Sequence, residues 1–209
     1  RRAVDPAALE ARLRADTAGD IKAVLVVQID TASSVVNDIP AIRKAIDAAG
    51  HDALFLVDTI ASLATMPFEM DAWGVDVAVA GSQKGLMTPP GLGFNAANDK
   101  ALAARARADL VTRYWDWNFR DGEEHYMKYC GTPPEHLMFA LRQALDLLLA
   151  EGLGRVIERH RLLSRAVHAA VDTWRQGGAL DFNIERPAER SAAVTSVLCP
   201  GCGPRAILD

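Results

Sequence analysis

Three short, almost unbroken apolar runs constrain this chain more than any other feature. They occupy residues 23–28, residues 53–57 (ending at Asp58) and residues 75–80 (ending at Gly81). A half-exposed strand alternates apolar and polar side chains. A run without that alternation suits a parallel strand buried on both faces. Between the first two runs lies a helical stretch, 39–49, with Ile39, Ile42 and Ile46 on one face and Gly50 as its stop. Helix alternating with strand predicts an α/β domain built on a mostly parallel sheet flanked by helices.

Residues 5–15 predict a helix ahead of the first strand, with Asp5 as N-cap and Pro6 at the first helical position. A fourth short strand is expected at 91–96 and a helix at 99–112. Pro133-Pro134 opens a long helix with Leu137, Leu141, Leu145 and Leu148 along a stripe, broken near Gly152-Leu153-Gly154. A last helix, 155–176, is stopped by Gly177-Gly178, and residues 182–198 read as strand and loop. A lobe boundary falls near 155–160. The chain starts close to a buried strand and stops just beyond another, so a fragment of a longer protein is expected.

Composition excludes several classes of function. A net charge of −4 over 209 residues leaves no basic footprint for nucleic acid or a membrane surface. No apolar run approaches the roughly 20 residues of a spanning helix. Three cysteines, Cys130, Cys199 and Cys202, are too few for a disulfide framework. The first six residues lack the apolar core of a signal peptide. A soluble, cytoplasmic protein is the expectation.

In an open α/β sheet, ligands sit beyond the carboxyl ends of the parallel strands. Here those ends read Asp30-Thr31-Ala32-Ser33-Ser34, Asp58-Thr59 and Gly81-Ser82-Gln83-Lys84. Parallel strands would bring hydroxyls, a carboxylate and a lysine to one crevice. These groups suit pyridoxal 5'-phosphate (PLP) chemistry: an amine for the Schiff base and proton transfer, and a carboxylate to keep the pyridine nitrogen protonated. A desolvated lysine has a lowered pKa and offers the free amine. Each group also has an ordinary explanation. A lone Asp at a strand end is more often a turn residue or cap, and a lone Lys in a Gly-rich loop is usually solvated. Alone, the set does not single out this cofactor.

Family likeness adds more. Residues 81–92, GSQKGLMTPPGL, resemble the lysine segment of class V aminotransferases, in particular the alanine/serine–glyoxylate aminotransferase group. Residues 57–63, VDTIASL, resemble that group's aspartate segment, and the 26-residue separation of Asp58 and Lys84 matches its spacing. The resemblance covers almost the whole chain and implies a fold-type-I PLP enzyme. Residues 1–155 would be part of the PLP-binding large domain and 156–209 the start of a small α+β C-terminal domain.

By that resemblance Lys84 is the Schiff-base lysine, Asp58 the partner of the pyridine nitrogen and Ile60 a packing residue on one ring face. Gln83 would contact the phenolic oxygen or phosphate. Thr31 matches the first hydroxyl of a Glu-Ser/Thr-Ser-Thr-Gly stretch. Here the final glycine is Ser34 and the second hydroxyl Ala32, which puts the local backbone geometry in question. Tyr129 and Thr132, in Tyr-Cys-Gly-Thr-Pro, match residues that reach the phosphate of the neighbouring subunit's PLP, which implies a homodimer. The local alternative makes Thr132 the N-cap of the helix that Pro133 opens.

The implied reaction moves an amino group from a small L-amino acid (serine, alanine or aspartate) to a 2-oxo acid, with glyoxylate favoured. A cysteine desulfurase or other lyase is the alternative on this fold, but such relatives usually place histidine where Gln83 stands. An inactive dimerisation module is a third reading, opposed by the presence of both Lys84 and Asp58. The family's glycine-rich phosphate loop and its arginine for the substrate carboxylate are expected outside residues 1–209. Cys199-Pro200-Gly201-Cys202 reads as a turn, no metal is expected, and His51, His160 and His168 have no ligand-like spacing. The aromatic stretch 114–119 reads as interface packing.

Overall fold

The computed structural model describes residues 2–178 and 180–201; Cys202 therefore lies outside them. Helix α1 (Pro6–Arg14) opens as expected, with the Asp5 carboxylate accepting from the Ala7 N–H. Strands β1 (Ala23–Val27), β2 (Leu54–Asp58) and β3 (Val77–Gly81) pair parallel in that order, and β4 (Gly93–Ala97) closes the edge antiparallel to β3. Helix α2 (Ile39–Ala49) links β1 to β2, capped by Asp38 and ended by Gly50 in the left-handed region. These elements form the mostly parallel α/β sheet that the apolar runs call for.

Helices α1 and α2 cover one face of the sheet. Ile39, Ile42 and Ile46 meet Phe55, Val57, Leu13 and Val75 in a sealed cluster, with Val24 and Val26 packed against it. The other face is only partly covered: residues 101–117 border Leu54, Leu56, Val77 and Val79, and the β1 side stays open. Leu25 is 73 % exposed there, and Leu56 and Val79 are only half-buried. Strands with apolar side chains on both sides call for a second cover. The first cover is complete and the second only partial among the described residues.

At the amino ends of the strands, Asp76 ties the sheet to residues 98–100. Its carboxylate accepts from the Phe55 N–H (2.8 Å) and the Asn98 side-chain amide (2.8 Å), with the Lys100 ammonium at 3.4 Å. His51 links two loops at the same end, its Nε2 3.1 Å from Asp16 Oδ2 while its Nδ1 accepts from the Ala53 N–H.

The structure corrects three expectations drawn from the residues alone. Helix α3 ends at Arg105 (Asp99–Arg105), not near 112. The residues beyond it are exposed and bury no apolar stripe, and Arg105 turns to pair with Asp116; helical propensity alone does not carry so short a segment. Two small helices, α4 (Trp117–Arg120) and α5 (His125–Tyr129), come next. Helix α6 (Glu135–Glu151) has no side-chain cap, so Thr132 does not serve as one. The prolines delay the helix to Glu135 and leave Thr132 out of capping reach. On α6, Ala144 rather than Leu145 lies on the buried line with Leu141 and Leu148, as about 3.6 residues per turn requires. Gly152 separates α6 from α7 (Leu153–Gln176), whose first turn contains residues 155 and 156. Strands β5 (Asp181–Phe182) and β6 (Val197–Leu198) pair antiparallel beyond it. Among the described residues no helix is long and apolar enough to cross a membrane.

Candidate functional site

The carboxyl ends of β2 and β3 are neighbours: Asp58 pairs with Val79, and the Thr59 N–H donates to the Val79 carbonyl at 2.8 Å. The chains that leave these strands touch. A Cβ on Gly85 would overlap the Leu63 carbonyl oxygen, so only glycine lets the Lys84 loop lie flat on the segment after Asp58. A Cβ on Gly81 would stand 2.9 Å from Gln83 Oε1 and 3.7 Å from Ile60 Cγ2. Gln83, Ile60 and the end of β3 therefore share one small volume.

Loop 82–92 is closed by its own residues. Ser82, fully buried, donates from Oγ to the Pro89 carbonyl (2.8 Å) and accepts from the Leu92 N–H (3.3 Å). Thr88 Oγ1 donates to the Ser82 carbonyl at 2.8 Å. Met87 takes a left-handed φ of 57°, and its N–H returns to the Lys84 carbonyl. Ser82 and Thr88 escaped sequence reasoning; their nearness to Gly-Gln-Lys was visible, but their bonding was not. Lys84 stands out of this closed loop and is exposed. Its amine has no hydrogen-bond or ion-pair partner among the described residues.

Asp58 is half-buried at the end of an apolar trough of about 340 Å³, lined by Leu25, Val27, Leu56 and Val79. Its Oδ1 accepts from the Ile60 N–H at 2.7 Å. This is the ordinary turn role of a strand-end aspartate, and it orients the carboxylate. No donor meets Oδ2 among the described residues. One oxygen held by the backbone and one left over beside apolar walls suits an aromatic N–H. The carboxylate and the apolar surface beside it suit a pyridoxal ring, and the Lys84 loop leaves the neighbouring strand.

Thr31 is exposed on the loop after β1, whose last residue, Val27, pairs with Asp58. The Asp30 carboxylate accepts from the N–H groups of Ala32 (2.8 Å) and Ser33 (2.9 Å), fixing the turn around Thr31. Ser34 takes a left-handed backbone, at φ 64°, a conformation that glycine adopts without strain. A left-handed non-glycine residue costs about 1 kcal/mol; here the buried Oγ accepts from the Ser196 N–H at 3.1 Å, which offsets it. Tyr129 and Thr132 do not join the Asp58–Lys84 region. They line a separate cavity of about 480 Å³ with His125, Tyr126, Gly131 and Pro133. Of the aromatic stretch, Tyr114 and Trp115 are exposed and meet edge to face.

The aminotransferase class-V family model matches residues 2–208. The chain is 44 % identical over 200 residues to the serine–glyoxylate aminotransferase of Methylorubrum extorquens, a match that covers 93 % of this chain and 49 % of that protein. It is 41 % identical over 190 residues to the L-aspartate–glyoxylate aminotransferase of Paracoccus denitrificans, covering 90 % of this chain and 46 % of that one. Among solved structures, pyridoxamine–pyruvate aminotransferase from Mesorhizobium loti superposes with a TM-score of 0.85 at 29 % identity, over 99 % of this chain and 52 % of the other. The chain thus spans about half the length of the relatives it matches.

Proposed function

The chain belongs to the class-V aminotransferase family, and from that premise we propose that it is the cofactor-anchoring part of a PLP-dependent glyoxylate aminotransferase. The donor is a small L-amino acid: serine, alanine or aspartate. Bound PLP supplies an aldehyde that condenses with amines and a ring that draws electrons from the substrate's α-carbon.

Lys84 Nζ is the amine that holds the cofactor and the base that carries the substrate's α-proton. Its place on a closed loop allows the side chain to swing while the backbone stays put. Asp58 Oδ2 holds a proton on the ring nitrogen, its carboxylate aimed by the Ile60 N–H at 2.7 Å. Ile60 packs on a ring face, and Gln83 and Thr31 hydrogen-bond the phenolic oxygen or the phosphate. Tyr129 and Thr132 serve the phosphate of a neighbouring subunit, which makes the active unit a homodimer; their separate cavity is consistent with a partner outside this chain. Residues 1–155 belong to the large domain, and the small domain begins at 156. Gln83, where lyases of this fold usually carry histidine, favours transamination.

One observation carries the proposal: the Lys84 loop lies against the segment after Asp58, with Gly85 over the Leu63 carbonyl. The test takes the full-length polypeptide that contains this chain, reconstituted with PLP. A visible-edge absorbance band should be present, vanish in Lys84→Ala, and accompany turnover of serine, alanine or aspartate with glyoxylate. Loss of the base should cost at least about a hundredfold in rate. A wild type with no such band sinks the proposal. The 209-residue chain alone should bind PLP poorly and turn over nothing, and measured turnover by it would refute that part.

A further inference from the structure

Three successive carbonyls after Thr31 are held by residues from the far end of the chain. The Ala32 carbonyl accepts from Ser196 Oγ (3.2 Å), the Ser33 carbonyl from Asn183 Nδ2 (2.8 Å) and the Ser34 carbonyl from the Ser191 N–H (3.2 Å). Ser34 Oγ accepts in turn from the Ser196 N–H, and the Val36 N–H donates to the Glu189 carbonyl at 2.8 Å. Val35 and Arg190 form an antiparallel bridge between them. Asn183, Ser191 and Ser34 are buried, and only the Ser196 Oγ contact lies at the surface.

We propose that residues 183–196 form a clasp that positions Thr31 for the cofactor, with Asn183, Ser34 and Ser196 as positioning residues. Before Thr31, the Asp30 carboxylate fixes the turn through two backbone N–H groups. After Thr31, the clasp takes over the backbone. A short side chain reaches a phosphate or phenolic oxygen only if its Cα is held within a fraction of an ångström. The clasp is itself anchored on α7: His168 meets the Phe182 ring edge-on at 5.5 Å, and the Arg190 guanidinium lies 3.5 Å above that ring. A shift of α7 and the strands beyond it is therefore transmitted to Thr31, while the hydrogen bonds that close loop 82–92 come from its own residues and only Leu86 packs in a cluster with Val156 of α7. None of these clasp residues touches the cofactor in this scheme; they act through Thr31.

This inference rests on the assignment of PLP to the site, and the test separates the two. Wild type, Asn183→Ala and Ser34→Gly versions of the full-length polypeptide are compared by amide hydrogen exchange without cofactor and by titration with PLP. Ser34→Gly keeps the left-handed backbone and loses only the Oγ acceptor, so it remains informative if Asn183→Ala folds poorly. Exchange at residues 31–36 should rise about tenfold in Asn183→Ala and less in Ser34→Gly, with residues 82–92 unchanged. The PLP dissociation constant should rise about fivefold in Asn183→Ala, and Thr31→Ala should then add little to that variant. Unchanged exchange at 31–36, or unchanged PLP affinity in a variant whose loop has loosened, overturns the clasp. A wild type that takes up no PLP overturns the cofactor assignment and the positioning role together, whatever the exchange shows.

Discussion

The two loops that carry the candidate site are held by opposite means. Loop 82–92 is closed by side chains six to ten residues from their partners, through Ser82 and Thr88. The loop around Thr31 is closed by Asn183 and Ser196, which lie 150 to 164 residues away from theirs. The difference matters physically. A local closure forms with little loop entropy and persists wherever its strand persists, whereas a remote one exists only when the whole chain has docked. The hydrogen bonds of the lysine loop are therefore local, although Leu86 also packs in a cluster with Leu148 and Val156, whereas those of the Thr31 loop come from the far end of the chain.

Gly85 is where the local closure is most vulnerable. Gly85→Ala drives a Cβ into the Leu63 carbonyl, so loop 82–92 must lift off the segment after Asp58. Denaturant unfolding should show a loss of about 3 kcal/mol, with PLP binding lost and the Thr31 loop still clasped. Ser82→Ala comes next: it deletes two buried hydrogen bonds of the local closure and should cost about 2 kcal/mol in the same assay. Hydrogen exchange should then rise across 82–92 and stay unchanged at 31–36.

Ser34→Gly probes the remote closure instead. It relieves backbone strain of about 1 kcal/mol and removes a hydrogen bond of similar worth. Global stability should therefore change by less than about 1 kcal/mol, although the loop exchanges faster. A large stability change would mean that the Ser34–Ser196 contact supports more than this loop.

The smallest effect is one of pH. Burial, and then the Arg190 charge, hold the His168 imidazole below its ordinary pKa, with Asp172 opposing them. The unfolded chain binds this proton first as pH falls. The stability that the neutral, buried ring contributes is full above about pH 6.5 and is lost progressively below it, toward the lower folded value. Exchange at 31–36 should accelerate below about pH 6.5 more than exchange at 82–92, and His168→Phe should flatten the difference. Equal acid sensitivity of both loops would show that the clasp is not tied to α7 through this ring.

Much of the molecule was legible in the residues. The apolar runs located β1, β2 and β3 because a doubly buried strand leaves no alternation, and Gly50 and Asp5 marked helix ends through their local chemistry. The segment around Lys84 was legible through its resemblance to the family's lysine segment, and the chain belongs to that family. The early end of α3 was not, since it depends on what Arg105 meets eleven residues later. Nor was the uncapped start of α6, or the exposure of Lys84.

Residue order alone located the strands, the helix on the covered face and the turn chemistry of the lysine loop, because apolar runs, caps and short-range hydrogen bonds are local features. How Thr31 is held, and why serine can stand where the family has glycine, were decided by the folded arrangement. Those answers belong to hydrogen bonds between residues more than a hundred positions apart, and no local pattern encodes which distant donor a carbonyl will meet.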